Sequence, residues 1–305
     1  MDWSQLLTPL FLTQLLAAGV TLATPLALAA LGEVFAERSG SLNLGLEGIM
    51  LFSGFIGFNA AYHIGNLWIG ILGAVMMGSI MGLLFAFMTI TLQANQTVTG
   101  LAINFLGNGL APYFYRLVFK VTLDTPRVEP FQNVPIPVLS DIPFIGDILF
   151  NHSVFTYLMF LLVAVTFVII YKTPFGLRLN AVGESPQTAD TLGVNVGRIR
   201  YICVVIGGAL AGMAGAFYSL VELGSYSDSM INGRGFIASA LVIFGRWDPV
   251  WTFGGALLFG LIDAFQNRLQ VLGSPIPSNF LQVLPYVIFD RTLYSVCPQI
   301  GHMKC

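Results

Sequence analysis

The residues able to do chemistry are few in this chain, and their spacing argues against most reactions. A phosphate-binding GxxxxGK[ST] loop needs lysine at the end of a glycine-rich turn, and Lys120, Lys172 and Lys304 have none before them. That route to ATP hydrolysis is therefore closed. His63, His152 and His302 lie far apart, as do Cys203, Cys297 and Cys305, so neither a metal ligand set nor a disulfide framework emerges. Residues 233–238, GRGFIA, fit GxGxxA, but nothing before them reads as a strand, so a helix start is preferred to a dinucleotide site. No nucleophile stands with a base and an orienting acid, so the chain does not read as an enzyme. What remains is polarity inside apolar sequence. Glu47 and Asp263 are carboxylates placed where a charge is expensive unless it faces protein or water. Asn43 lies just before Glu47, and Asn104 and Asn108 are four residues apart on one helical face. These five could line a path for a polar solute. The two carboxylates could instead bind Na⁺ or H⁺, and the two amides could instead bond to a neighbouring helix.

A second polar stretch, residues 175–200 (FGLRLNAVGESPQTADTLGVNVGRIR), separates two strongly apolar segments. Ser185-Pro186 reads as a helix start, serine at the N-cap and proline in the first helical position. Residues 187–192 continue that turn, and Gly193 is placed to stop it. A short capped helix in a basic loop suits docking to a partner protein, although a solvated connector that merely follows the positive-inside rule has the same composition.

The elements that carry these residues follow from composition. The 305 residues are 56% hydrophobic and 9% charged, with mean hydropathy +0.80, against about 25% charged in a soluble domain. Residues 3–32 contain no charged side chain, and neither do residues 48–115 if His63 is neutral. At about 20 residues per crossing, the second run alone holds roughly three. The expected fold is an all-α polytopic membrane protein. Its spans fall near residues 10–31, 49–64, 68–92, 98–117, 154–171, 201–221, 250–270 and 280–296, with a shorter apolar stretch at 236–245. That gives eight or nine crossings, or ten with half-helices. The N-terminus lacks the basic region of a signal peptide and reads as a retained first helix. Pro25 should kink that helix. Gly78/Gly82 and Gly208/Gly212 have the spacing that lets helix backbones approach in lipid. The net charge of −2 and the absence of a basic stripe give no sign of nucleic acid binding.

Residues 120–152 form the longest stretch read as non-helical, rich in proline and acids and poor in Lys/Arg, which places them outside. The basic loop 172–200 is then cytoplasmic. Residues 33–48 read as a polar, glycine-bearing break, either a broken helix lining a path or a tight turn whose glycines allow close packing. The stretches beginning at Trp68 (WIGILGAVMMG) and Trp251 (WTFGGALLFG) echo each other, each after such a break and a shorter apolar segment. With the breaks on opposite sides, the halves would be an inverted repeat of the kind common in transporters.

Four motifs carry a family resemblance that covers nearly the whole chain: ERSGSLNLGLEGIMLFSG (37–54), RLNAVGESPQTADTLGVNVGRIR (178–200), GRGFIASALVIFGRWDP (233–249) and LPYVIFDRTLY (284–294). The sequence resembles permease subunits of the branched-chain amino acid, simple sugar and nucleoside ABC importers, and its NLGLEG version is similar to the nucleoside type. The resemblance implies a single permease domain spanning 1–305, with a fold like the vitamin B12-type importers. It also implies residence in a bacterial cytoplasmic (inner) membrane and a pairing of two permeases, here a heterodimer. Separate ATPase subunits would bind ATP and Mg, and a binding lipoprotein or periplasmic protein would deliver a nucleoside or simple sugar. The stretch 178–200, within the loop 172–200, resembles the family's cytoplasmic ATPase-coupling loop, which implies Arg178, Gly183, Glu184, Ser185, Pro186, Ala189, Asp190 and Gly193 as its contact residues. The competing class is a self-contained, ion-coupled carrier or channel using Glu47 and Asp263.

Overall fold

The computed structural model describes residues 9–120, 126–135 and 145–271, most of them helical. The helices are α1 (Pro9–Arg38), α2 (Leu46–Ile64), α3 (Leu67–Ala86), α4 (Gln96–Phe119), α5 (Ile145–Leu149), α6 (Val154–Lys172), α7 (Pro174–Glu184), α8 (Pro186–Thr191), α9 (Val196–Phe217), α10 (Arg234–Phe244) and α11 (Pro249–Val271). A π-helical turn prolongs α3 to Thr91, and another prolongs α9 to Glu222. Four of these helices are long and apolar enough to cross a bilayer: Phe11–Arg38, Leu67–Thr91, Val154–Lys172 and Val196–Glu222. Helices α2, α4 and α11 have comparable length, but Glu47, Asn59, Asn104, Asn108, Asp263 and Gln266 dilute their apolarity. The span expected at 280–296, and the motif at 284–294, lie outside the described residues.

Two expectations are corrected. The first helix does not end near residue 31 but runs to Arg38 with Pro25 inside it, because Glu33 faces the interior and is fully buried. The stretch 120–152 is not wholly non-helical either. It holds the short helix α5 and a two-residue antiparallel ladder, Val134–Pro135 (β1) against Asn151–His152 (β2).

The chain divides into two compact units. One comprises residues 24–133 and 153–254 and is built on α2, α3 and α9. In lipid, hydrophobicity does not drive helices together, so close packing must. The two small-residue seams legible in the sequence pack on each other here: a Cβ at Gly78 would stand 2.2 Å from the Gly208 carbonyl oxygen, and one at Gly212 2.4 Å from that of Ala74. The α2 helix joins at Gly54, against Gly215, and at Gly57, against Gly70. Two ends can be told apart in this unit. The C-terminal ends of α2 and α4 meet where His63 stacks on Phe119, and Val128 donates its N–H to Gly224 O beyond the end of α9. At the other end, the α3 extension meets the start of α9 through Thr91 and Tyr201, close to α7 and α8 in sequence.

The other unit comprises residues up to 23, 134–152, and 255 onward. Its described helices pack at Gly19 and Gly260, which admit no side chain against Leu261 and Ala23. Arg268 donates to Gln14 Oε1 at 3.0 Å. His152 is buried; its Nε2 lies 2.7 Å from the Ile148 carbonyl and its Nδ1 3.3 Å from the Thr21 hydroxyl.

Candidate functional site

The loop after α6 folds into two helices rather than one. The Thr173 hydroxyl donates to Ile169 O at 2.6 Å and accepts from Gly176 N at 3.3 Å, and Pro174 follows as the first residue of α7. Thr-Pro is a start signal, and Gly176, Leu179 and Val182 recur at helical spacing to bury one face. Helix α8 begins at Pro186 after Ser185, as the sequence predicts, but the serine hydroxyl bonds the Thr188 hydroxyl at 2.8 Å instead of a backbone N–H. Gly193 stops the helix with φ +81° and donates its N–H to Asp190 O. Ala189 points inward, while Gln187, Thr188, Asp190, Thr191 and Leu192 are exposed, Leu192 at 78%. Arg178 and Glu184 are exposed, and Ser185 and Pro186 are half-buried. A two-turn projection with an apolar tip is suited to insertion into a partner's groove.

Behind the projection sits a cluster centred on Arg38, the last residue of α1. Its Nε donates to Trp247 O at 2.7 Å, its Nη1 to Asn180 Oδ1 at 3.0 Å and its Nη2 to Tyr171 OH at 2.7 Å. Tyr171 OH in turn donates to Asp248 Oδ2, and Trp247 Nε1 donates to Glu37 Oε2 at 2.6 Å. Arg246 and Trp247 both hold left-handed backbone angles, φ 53° and 59°, which cost about 1–2 kcal/mol each in a non-glycine residue. The surrounding bonds hold them there. The Arg38 carbonyl lies so near Gly183 that a Cβ there would stand 2.1 Å from it. A cavity of about 470 Å³ opens between Glu37, Arg38, Asn180, Gly183, Glu184, Arg246 and Trp247.

The break between α1 and α2 is irregular backbone held at several points by side chains. Gly40 turns the chain at φ +84°, and Gln96 accepts from Leu42 N and donates to Gly40 O. Arg200 Nε donates to Ser39 O at 3.0 Å. Glu33 Oε1 accepts from Asn43 N at 2.7 Å, and Asn43 Oδ1 accepts from Gly45 N at 2.9 Å. Glycines seat the turn on α4: Gly45 faces Gly100, and Gly48 faces Asn104 and Gly107.

The start of α2 then meets the start of α10. Glu47 Oε1 accepts from Gly233 N at 2.9 Å, and Gly235 lies against the Glu47 backbone where a Cβ would be 2.5 Å from its Cα. Two helix N-termini thus converge on one carboxylate, which their positive ends favour. Of the path candidates, Asn43, Glu47, Asn104 and Asn108 gather around this turn. Asn43 is buried in it; Asn108 Nδ2 donates to Asn104 Oδ1 at 2.7 Å, so the two amides pair along α4, with Asn108 exposed. Asp263 belongs to the other unit. Sequence reasoning missed Glu33, Gln96, Tyr171, Asn180 and the Arg38 fork. Only the Thr173-Pro174 start signal could have exposed α7.

The sequence matches the family described as "Branched-chain amino acid transport system / permease component" over residues 15–289. It is 38% identical to the guanosine ABC transporter permease protein NupQ of Bacillus subtilis, covering 91% of this chain and 90% of that one. It is also 38% identical to the nucleoside ABC transporter permease protein NupC of Lactococcus lactis, covering 87% and 86%. A solved chain from an ABC transporter assigned to the metal-chelate type, in an inward-facing conformation, superposes with a TM-score of 0.54 at 17% identity, over 93% of this chain and 86% of that one. That likeness shows the fold, and the sequence matches show the family. The chain is a member of the permease components of branched-chain amino acid transport systems, a multi-pass membrane protein of the ABC transporter permease kind.

Proposed function

We propose that this chain forms the translocation path of an ATP-driven importer in a bacterial cytoplasmic membrane, carrying a nucleoside handed over by a substrate-binding protein. The observation that carries the reading is the projection α7–α8, its exposed tip at Gln187–Leu192 backed by the Arg38 cluster, in a chain without a phosphate loop of its own. ATP and Mg belong to separate ATPase subunits that receive the tip, with Arg178, Gly183, Glu184, Ser185, Pro186, Ala189, Asp190 and Gly193 forming or shaping the contact. A second, different permease completes the path. The nucleoside assignment draws on the names of the two relatives, and a simple sugar is the nearest substitute. A self-contained ion-coupled carrier is not favoured, because relatives matching nearly the whole chain are named as permeases of ABC transporters.

In this reading 1–305 is one permease domain, with 120–152 outside and 172–200 in the cytoplasm. Gly233 meets Glu47 at the start of α2 and Trp247 meets Arg38 beyond the end of α10, so 223–247 is counted as one crossing, which with the span expected at 280–296 favours nine. The head-to-head meeting of α2 and α10 supports an inverted repeat, with Asn43, Glu47, Asn104, Asn108 and Asp263 along the path. The test is uptake of labelled guanosine into cells carrying or lacking the gene, with unlabelled nucleosides and sugars as competitors. Loss of guanosine uptake on deletion, with competition by nucleosides alone, is the expected result. Unaltered uptake, or competition by glucose or ribose only, would overturn the substrate assignment.

A further inference from the structure

The segment from Glu37 to Glu47 touches both ends of α10. At one end Glu37 holds the Trp247 indole and Arg38 holds the Trp247 carbonyl; at the other Glu47 holds the Gly233 N–H. The same Arg38 reaches α7 through Asn180 and the end of α6 through Tyr171, which is itself bonded to Asp248 at the start of α11. Its guanidinium also lies over the Tyr171 ring, 5.0 Å from the centroid. One planar fork at the end of α1 therefore ties it to three other elements, one donor on each, in a geometry that a lysine's single ammonium cannot reproduce. On the backbone side, Gly183 lets α7 press directly on the Arg38 carbonyl.

We propose that Arg38 is a positioning residue that locks the α7–α8 projection to α10, so that displacement of the projection moves α10 and the Glu47 junction as one body. The inference rests on the importer reading for its consequence, but its geometry does not. A push on the α8 tip would otherwise be absorbed in the polar loop. With the lock in place, it reaches the far end of α10 through Trp247 at one end and the 37–47 segment at the other. The strained Arg246-Trp247 backbone fits this role, since strain persists where neighbouring contacts over-determine a turn.

Two perturbations separate the lock from mere folding. Arg38→Ala removes the three side-chain bonds, and Gly183→Ala wedges α7 off the same carbonyl without touching a charge. Spin labels at Gln187 on α8 and Ile243 on α10, in a background with Cys297 and Cys305 replaced by serine, report the α8–α10 distance in the full chain in nanodiscs. Wild type should give one narrow distribution and both variants a broadened one, with Arg38→Lys failing to restore it. In proteoliposomes holding the complete transporter, solute taken up per ATP hydrolysed should fall at least tenfold in Arg38→Ala and Gly183→Ala. It should fall less in Tyr171→Phe, which loses one relay. Distributions as narrow as wild type in both variants, or broadened ones with an unchanged uptake-to-hydrolysis ratio, overturn the proposal. Failure of the importer reading would look different: the wild-type complex would show no ATP-dependent uptake, while the spin-label result would still decide whether Arg38 locks α8 to α10.

Discussion

Removing the Glu47 carboxylate should loosen the start of α10 by an amount the geometry sets. Gly233 is the N-cap of α10, with no side chain to offer, and its N–H donates to Glu47 Oε1 at 2.9 Å. In Glu47→Ala that N–H loses its acceptor, costing about 1–3 kcal/mol, and the helix end loses a negative charge, about 0.3–1 kcal/mol more. A central sum of about 2.5 kcal/mol corresponds to about a seventyfold rise in the population of the opened helix start. In Glu47→Gln a neutral acceptor remains, so about 1 kcal/mol and about a fivefold rise are expected. Hydrogen–deuterium exchange of the amides from Gly233 to Ile237 in nanodisc-held protein reads this directly, because local opening limits their exchange. Amides in α6, which takes no part in the Glu47–Gly233 bond, provide the internal reference. Exchange in Glu47→Ala within twofold of wild type would refute the idea that this carboxylate caps α10.

Three further outcomes follow from other parts of the molecule. Gly78→Ala would place a Cβ 2.2 Å from Gly208 O and should destabilise the α3–α9 seam by about 1–3 kcal/mol, lowering the unfolding midpoint in a thermal scan, whereas Gly254→Ala, which meets nothing within 4 Å, should not lower it. A cysteine at Gln187 should react with a membrane-impermeant maleimide only from the cytoplasmic side, and one at the buried Ala189 far more slowly; reaction at Gln187 in intact cells would invert the topology. Burial holds the His152 pKa below its ordinary value near 6.5, so the folded state favours the neutral ring. Its contribution to stability is complete above about pH 6.5 and is lost as pH falls through the lowered folded value, so exchange of amides 148–153 should accelerate in mild acid, and less in His152→Gln.

Local signals in the sequence translated well into structure, and long-range ones did not. The helix start at Ser185-Pro186 and its stop at Gly193 depend on neighbours within a turn, so residue types alone announced α8. The Gly78/Gly82 and Gly208/Gly212 spacings announced close approach, but only the coordinates pair the two seams with each other. Helix α7 was hidden because Leu177 and Arg178 face outward, leaving Gly176, Leu179 and Val182 as a thin buried stripe inside a polar run. Glu33 read as interfacial on account of its charge, yet it is buried because it accepts from the Asn43 backbone ten residues on. The Arg38 cluster left no trace at all: its partners Tyr171, Asn180 and Trp247 lie more than a hundred residues away, and no local pattern encodes such a meeting.

In the proposed importer, this chain moves solute only when a separate ATPase pushes on its α7–α8 projection. The most direct measurement is accumulation of labelled guanosine in proteoliposomes containing the chain alone, under a Na⁺ or H⁺ gradient, beside proteoliposomes containing it with its permease partner, ATPase and binding protein plus ATP. Accumulation in the second preparation and none in the first is the predicted result. Gradient-driven accumulation by the chain alone would contradict the account.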